Sequence, residues 1–311
     1  MWGGFLLALG ISASVSYHSP FHFFPPDVTF PLDPLIVQRG KKKLLAEFDL
    51  GAGSLQGISQ HDALQWLENI SSDELRYHKL IYERPVILNF LEHDEVSGDP
   101  WYATLPDDDR ARAFILGLVQ QQYNALFAKG FQSNDIQRLE QLKAFELPEL
   151  DKKGRYYYSA TANLFTSYYH QLNALLQDFS PEKVNAFRAF GEQHFFETIA
   201  SLPPYFDSMR NEFANALLQA ADKLADDSIK AVDVAFMLSN IARAVAASRE
   251  IKETARRFSN QHVEGRTFAG NSPSRQSTSL PDAAPRKKNY GCIIAAVIVF
   301  VVIRLLTMLL R

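Results

Sequence analysis

The chain has 311 residues, with 32 Lys and Arg against 35 Asp and Glu, and 47% of it is apolar. That balance is ordinary for a globular protein of one or two domains, large enough to bury a core without disulfide staples. The single cysteine excludes a disulfide framework and any multi-cysteine zinc or iron–sulfur site, and the near-neutral charge argues against a dedicated nucleic-acid binder.

Charge is unevenly placed. Residues 1–53 are balanced, with 4 basic and 4 acidic groups. Residues 54–263 hold 21 basic against 29 acidic groups, whereas residues 264–311 hold 7 against 2. An acidic body repels phosphate backbones. A basic tail beside an apolar run suits anionic lipid headgroups.

At the N-terminus, residues 5–11 form a short apolar run followed by the small residues Ser12, Ala13 and Ser14. That is the outline of a signal peptide, but the preceding residues carry no Lys or Arg. A cleaved signal would place the body outside the cytoplasm. The chain up to residue 53 is then rich in proline (Pro20, Pro25, Pro26, Pro31, Pro34) and holds Lys41, Lys42 and Lys43. It shows no helical period, and the expectation for residues 1–53 is a poorly ordered or loosely packed segment.

Residues 54–263 read as a helical domain, because apolar residues recur at spacings of three and four and alternating runs are scarce. Ser59 with Asp62 gives a capping-box start. Ser72 opens a second helix, which Pro85 must end or kink. Asp107, Asp108 and Asp109 place acids at a helix N-terminus, where the macrodipole favours them. That helix is expected to end at Lys129 and Gly130, a C-cap pattern, with Ser133 opening the next. Further helices are expected from Tyr157 to Gln177, from Ser180 through Val184, Phe187, Phe195 and Ile199, and over Phe206 to Leu224. Asp227 or Ser228 would then cap a long last helix carrying Val234, Leu238, Ile241 and Val245. The expected fold is all-α, a bundle-like array of seven or eight helices joined by short loops.

Residues 264–290 are rich in Ser, Pro, Gly and Arg and read as a flexible linker, with a reach of roughly 25–30 Å. Residues 291–311 read as a transmembrane anchor. The run GCIIAAVIVFVVIRLLTMLL includes Cys292, Ile293, Ile294, Val297, Ile298, Phe300, Val301, Ile303, Arg304, Leu305 and Leu309. Twenty helical residues span about 30 Å, a bilayer core. Its 13 Ile, Leu, Val and Phe side chains favour insertion by about 4–8 kcal/mol, against about 2.5–3.5 kcal/mol for Arg304 at most. Cys292 at the boundary reads as a small lipid-facing residue, with S-acylation as the alternative. Arg286, Lys287 and Lys288 precede the span and only Arg311 follows it. The positive-inside rule therefore keeps the body cytoplasmic, a single-pass, tail-anchored layout. The sequon at Asn69, Ile70 and Ser71 matters only in the opposite orientation.

Searches for chemistry return little. There is no phosphate-binding glycine loop, no HExxH, no GxSxG and no Glu-x-x-His pair. Glu92, His93, Asp94 and Glu95 are ligand types, but adjacent helical residues diverge, so they read as a solvated helix end. Thirteen aromatic residues lie between Tyr156 and Phe206. They suit a core or a pocket for a flat or lipidic ligand. The surplus of Tyr also suits an exposed binding surface, for which Tyr157, Tyr158, Tyr168 and Tyr169 are the candidates. His170 and His194, near Glu192 and Glu197, could pair as acid and base only if packed together. Arg249, Lys252, Arg256 and Arg257 would face lipid or complement a helix C-terminus. No cofactor or metal is implied. The expected function is a membrane-anchored adaptor or scaffold that binds lipid through its anchor and another protein through its body, with no nucleic-acid partner. The alternative is a membrane-tethered enzyme or carrier holding an apolar ligand in the aromatic half.

Overall fold

A computed structural model of the chain describes residues 17–25, 27–51, 59–70, 72–148, 150–177, 179–180, 183–227 and 231–269. These are all-helical, with twelve α-helices, three short 3-10 turns and no strand among the described residues. The helices are α1 (Pro34–Asp49), α2 (Gln60–Asn69), α3 (Ser72–Tyr82), α4 (Pro85–His93), α5 (Asp109–Gln132) and α6 (Ile136–Lys143). They continue with α7 (Leu150–Gln177), α8 (Val184–Gly191), α9 (Phe195–Ala200), α10 (Asp207–Asp227), α11 (Val232–Val245) and α12 (Arg249–Ala269). The chain divides into two compact units, Met1–Gly265 and Arg266–Arg311. Of the second unit only residues 266–269, the last turn of α12, are described. The anchor residues, the basic group at 286–288, the linker beyond residue 269 and the signal-like residues 1–16 all lie outside the described residues. No described helix is long and apolar enough to cross a membrane.

The segment expected to lack helical structure contains α1. Its start is written locally: the Asp33 side chain accepts from Leu35 N–H and Pro34 occupies the first turn. Gly40 and Leu44, one turn apart, are its buried face. A Cβ at Gly40 would lie 3.1 Å from the Phe24 ring, so glycine sets the approach of residues 20–24 to this helix. Two consecutive prolines and three lysines obscured a buried stripe only two residues wide.

Several expected boundaries hold. Ser59 caps α2 through Asp62 N–H, and Asp108 caps α5 through Arg110 and Ala111 N–H. Pro85 begins α4. Others move. Gly130 does not terminate α5, which runs on to Gln132. A Cβ there would meet Leu139 at 3.1 Å, so this glycine serves the crossing of α5 and α6. Asp135, not Ser133, caps α6.

The long last helix expected beyond residue 227 is two helices. Its break at 246–248 is held from α10. Asn211 Oδ1 accepts from the N–H groups of Ala247 (3.0 Å) and Ser248 (2.8 Å). Arg210 donates to Val245 O (2.9 Å) and Leu202 O (3.2 Å). These bonds hold the end of α11 and the turn before α12 from a neighbouring helix, which no local pattern announces. Asn211→Ala leaves both N–H groups without that acceptor and is expected to cost about 1–3 kcal/mol. Asn211→Asp, which keeps an acceptor, should cost less; urea denaturation of the two variants gives the comparison.

Two hydrophobic cores fill the unit. The larger spans residues 81–246 and centres on α5, α7, α10 and α11. The smaller joins Phe21, Phe23, Phe24 and Val28 to Leu44 of α1, Ala63 and Leu67 of α2 and Leu75 of α3. Helix α3 contributes to both, Leu75 to the smaller and Ile81 to the larger.

Candidate functional site

The most concentrated polar chemistry lies where residues 17–24 cross α3 and α4. Proline at position 20, with Ser19 as its cap, bends this segment into a 3-10 turn. That turn sends Phe21, Phe23 and Phe24 into the small core and leaves His18 and His22 half-buried at its edge. The Glu92 side chain is only 4% exposed. It receives the Ser19 N–H at 2.7 Å and His22 Nε2 at 2.9 and 3.0 Å to its two oxygens. Burial works to raise the Glu92 pKa, but the bonds from His22 and Ser19 prevail and hold its carboxyl below the usual range. The same hydrogen bond raises His22. The His18 ring lies tilted against that of His22, centroids 5.2 Å apart, and its pKa is lowered chiefly by burial.

Upstream of this pair, Tyr17 Oη lies 2.8 Å from Nδ1 of His78 on α3, and the two rings stack at 5.7 Å. His78 is 5% exposed. The edges of Trp66 and Phe114 enclose it at 5.9 and 5.1 Å. Burial pushes its pKa down to about 3, so it is neutral and accepts the Tyr17 proton. Tyr17 is raised for the same reason.

Glu92 is therefore not part of a solvated helix end. Its side chain turns inward from the last turn of α4, whereas His93 stays exposed and Asp94 takes a left-handed conformation (φ 60°) that ends the helix. Asp94 Oδ1 accepts from Gln122 of α5 at 2.6 Å. Glu92 could not be read from sequence, because its partners lie 70 and 73 residues away. No group of three or more His, Cys, Asp or Glu is placed to hold a metal ion among the described residues.

The aromatic half is packed ring on ring. Tyr168 stacks on Phe195 at 4.1 Å. Tyr158 meets Phe127, Tyr205 and Phe206 at 5.0–5.4 Å. Tyr157 and Tyr158 are 0% and 2% exposed, so they are core and not binding surface. Tyr157 donates to Pro148 O, and the Tyr158 hydroxyl lies 3.5 Å from that of Tyr123. Tyr168 and Tyr169 are half-buried against the same core. The tyrosine that faces outward is Tyr156, 48% exposed, with Arg155 over its ring at 4.8 Å. Beside the same helix Tyr205, 44% exposed, closes on Gly154, where a Cβ would lie 2.7 Å from its ring. A run of three tyrosines on a helix turns through 200°, and composition alone does not say which one faces solvent.

The remaining candidates separate. His170, Glu192, His194 and Glu197 are exposed, and no hydrogen bond or ion pair joins them among the described residues. Arg249 and Lys252 stand in the first turn of α12, not the last, so the C-terminal dipole does not explain them. Arg256 and Arg257 both pair with Glu253, at 3.7 and 3.6 Å. A cleft of about 450 Å³ opens to solvent beside Arg84, Trp101 and Thr104, away from the aromatic half. Arg84 there is committed to the backbone oxygens of Thr104 and Leu80 at 2.7–3.0 Å.

Comparison with protein-family models, with curated proteins and with solved structures finds no match to this chain.

Proposed function

We propose that the protein is a membrane-tethered adaptor whose helical body docks another protein through Tyr156, Tyr205 and Arg155. The observation that carries this reading is the aromatic half itself: its rings fill one another's contacts and leave two tyrosines and an arginine outward. Tyr and Arg are the residues most often found where partner proteins anchor. The carrier reading needs an enclosed cavity among these aromatics. The cleft beside Arg84 is open and lies elsewhere. The tether is the apolar run at 291–310, with the body on the cytoplasmic side.

Two experiments test the two halves. Deleting residues 291–311 should release the protein from membranes through a carbonate wash. Retention of the truncated chain would refute the tether. In the same cells Asn69, exposed at the end of α2, should carry no glycan; a mobility shift on endoglycosidase treatment would reverse the orientation. For the docking surface, a photoreactive residue at 156 or 205 should give a discrete protein adduct that the same residue at exposed position 170 does not. Equal labelling at all three would remove the surface.

Gly154→Ala offers a finer probe. Its methyl group must displace the half-exposed Tyr205 ring, a strain that alanine's better helix propensity offsets, so net stability should change by about 1 kcal/mol or less. Partner affinity should fall by about tenfold or more as an anchor leaves its place. Titration of the cross-linked partner against folded variant is the measurement.

A further inference from the structure

We propose that residues 17–24 form an acid-responsive strap: a proton on His78 frees the Tyr17 end, while Glu92 keeps hold of the His22 end. The two ends are built differently. His78 sits in a box of rings, with Tyr17 from the strap, Trp66 from α2 and Phe114 from α5. Tyr17 is the titratable group facing it, and burial is the sole cause of its lowered pKa. Among the described residues no hydrogen bond or ion pair joins a carboxylate to His78, and the Nδ1 of the imidazolium could no longer accept the Tyr17 proton. Lifting Tyr17 admits water to the charge.

The other end gains from the same proton. His22 faces the Glu92 carboxylate of α4, the His18 ring of the strap and the edge of Tyr82 from α3. Glu47 and Lys43 of α1 act on it weakly and in opposite directions. His93 approaches Glu92 at 4.0 Å. Protonated His22 strengthens its bond to Glu92, and Glu92 also retains the Ser19 N–H. Acidification therefore peels the strap from its N-terminal end and stops near Ser19. The face uncovered is that of Trp66, His78 and Phe114, and the segment released leads into residues 1–16.

If opening restores the ordinary histidine value of about 6.5, the opened population rises up to about 30-fold between pH 8 and pH 5. The test is slow oxidative footprinting of the full chain in detergent micelles, read residue by residue by mass spectrometry. Trp66 is partly exposed while the strap is closed, so its labelling rate at pH 5 over pH 8, divided by the same ratio in His78→Phe, should rise clearly above one but stay below that ceiling of about 30-fold. His78→Gln, which keeps an acceptor and cannot take the proton, should be as flat as His78→Phe. Phe21 and Phe24 should stay protected at both pH values in the wild type and become labelled at both in His22→Gln. A Trp66 ratio near one, or Phe21 and Phe24 rising in step with Trp66 in the wild type, would overturn the proposal.

Discussion

Phe213→Ala should destabilise the protein by about 3–5 kcal/mol, the range for emptying a fully buried aromatic position. Phe213 of α10 is 0% exposed. Its ring meets Phe165 at 5.5 Å, Phe196 at 6.2 Å, and Tyr169 and Phe190 at 6.4 Å. These rings come from α7, α8 and α9, so the cavity would open where three helices converge on a fourth. A well-packed site of rings collapses poorly, because each ring already touches others. Phe213→Leu keeps most of the volume and should cost about 1.5 kcal/mol or less. Urea denaturation should show the midpoint falling with little change in slope. If Phe213→Ala costs under 1 kcal/mol, the convergence is looser than the ring distances state.

Acid should weaken the fold through His78. In the folded protein this group holds no proton until about pH 3, whereas in the unfolded chain it takes one near 6.5. The unfolded state thus binds more protons between those values, so stability falls as pH falls, by about 1.4 kcal/mol per pH unit. Between pH 6.5 and 4 the loss is about 3 kcal/mol. His18, also lowered, acts in the same direction. His22 acts in the opposite sense. Its pKa is raised, so its contribution is fully present below 6.5 and is lost as pH rises through the folded value. Glu92 is lowered, and its contribution goes only when pH falls below the ordinary carboxylate range. The difference between wild type and His78→Phe isolates the one group. The variant should be less stable at pH 7.5, where Tyr17 loses its acceptor, yet have a flatter profile from pH 6.5 to 4. Parallel profiles would mean that His78 titrates normally in the folded state.

The helical class was legible in the spacing of apolar residues, and so were the caps that a residue builds with its own neighbours. Ser59 and Asp108 act within three residues of themselves, and sequence reports them. The break between α11 and α12 is made by Asn211, 36 residues away in the chain, and the apolar period runs across it unmarked. The glycine at 130 looked like a terminus because glycine serves both ends of helices and close crossings, and only the position of Leu139 decides between them. On α7 the exposed Tyr156 lies a single step from the expected Tyr157, which on a helix is a rotation of 100°, and the exposed Tyr205 was not among the expected residues. Glu92 stood out with its neighbours but was read as a solvated helix end, since a buried carboxylate and a solvated one are the same letter.

The division of the apolar interior into two cores has a consequence for how the molecule breathes. The smaller core rests on eight buried side chains from residues 21–75, far fewer than the larger one. Native-state hydrogen exchange should therefore resolve two cooperative opening units, with α1 and α2 exchanging at a lower free energy than α7, α10 and α11. Proteases that capture partly open states would then nick the first quarter of the chain while the rest stays folded. A damaged copy would retain its large core and lose the face beside α1 first.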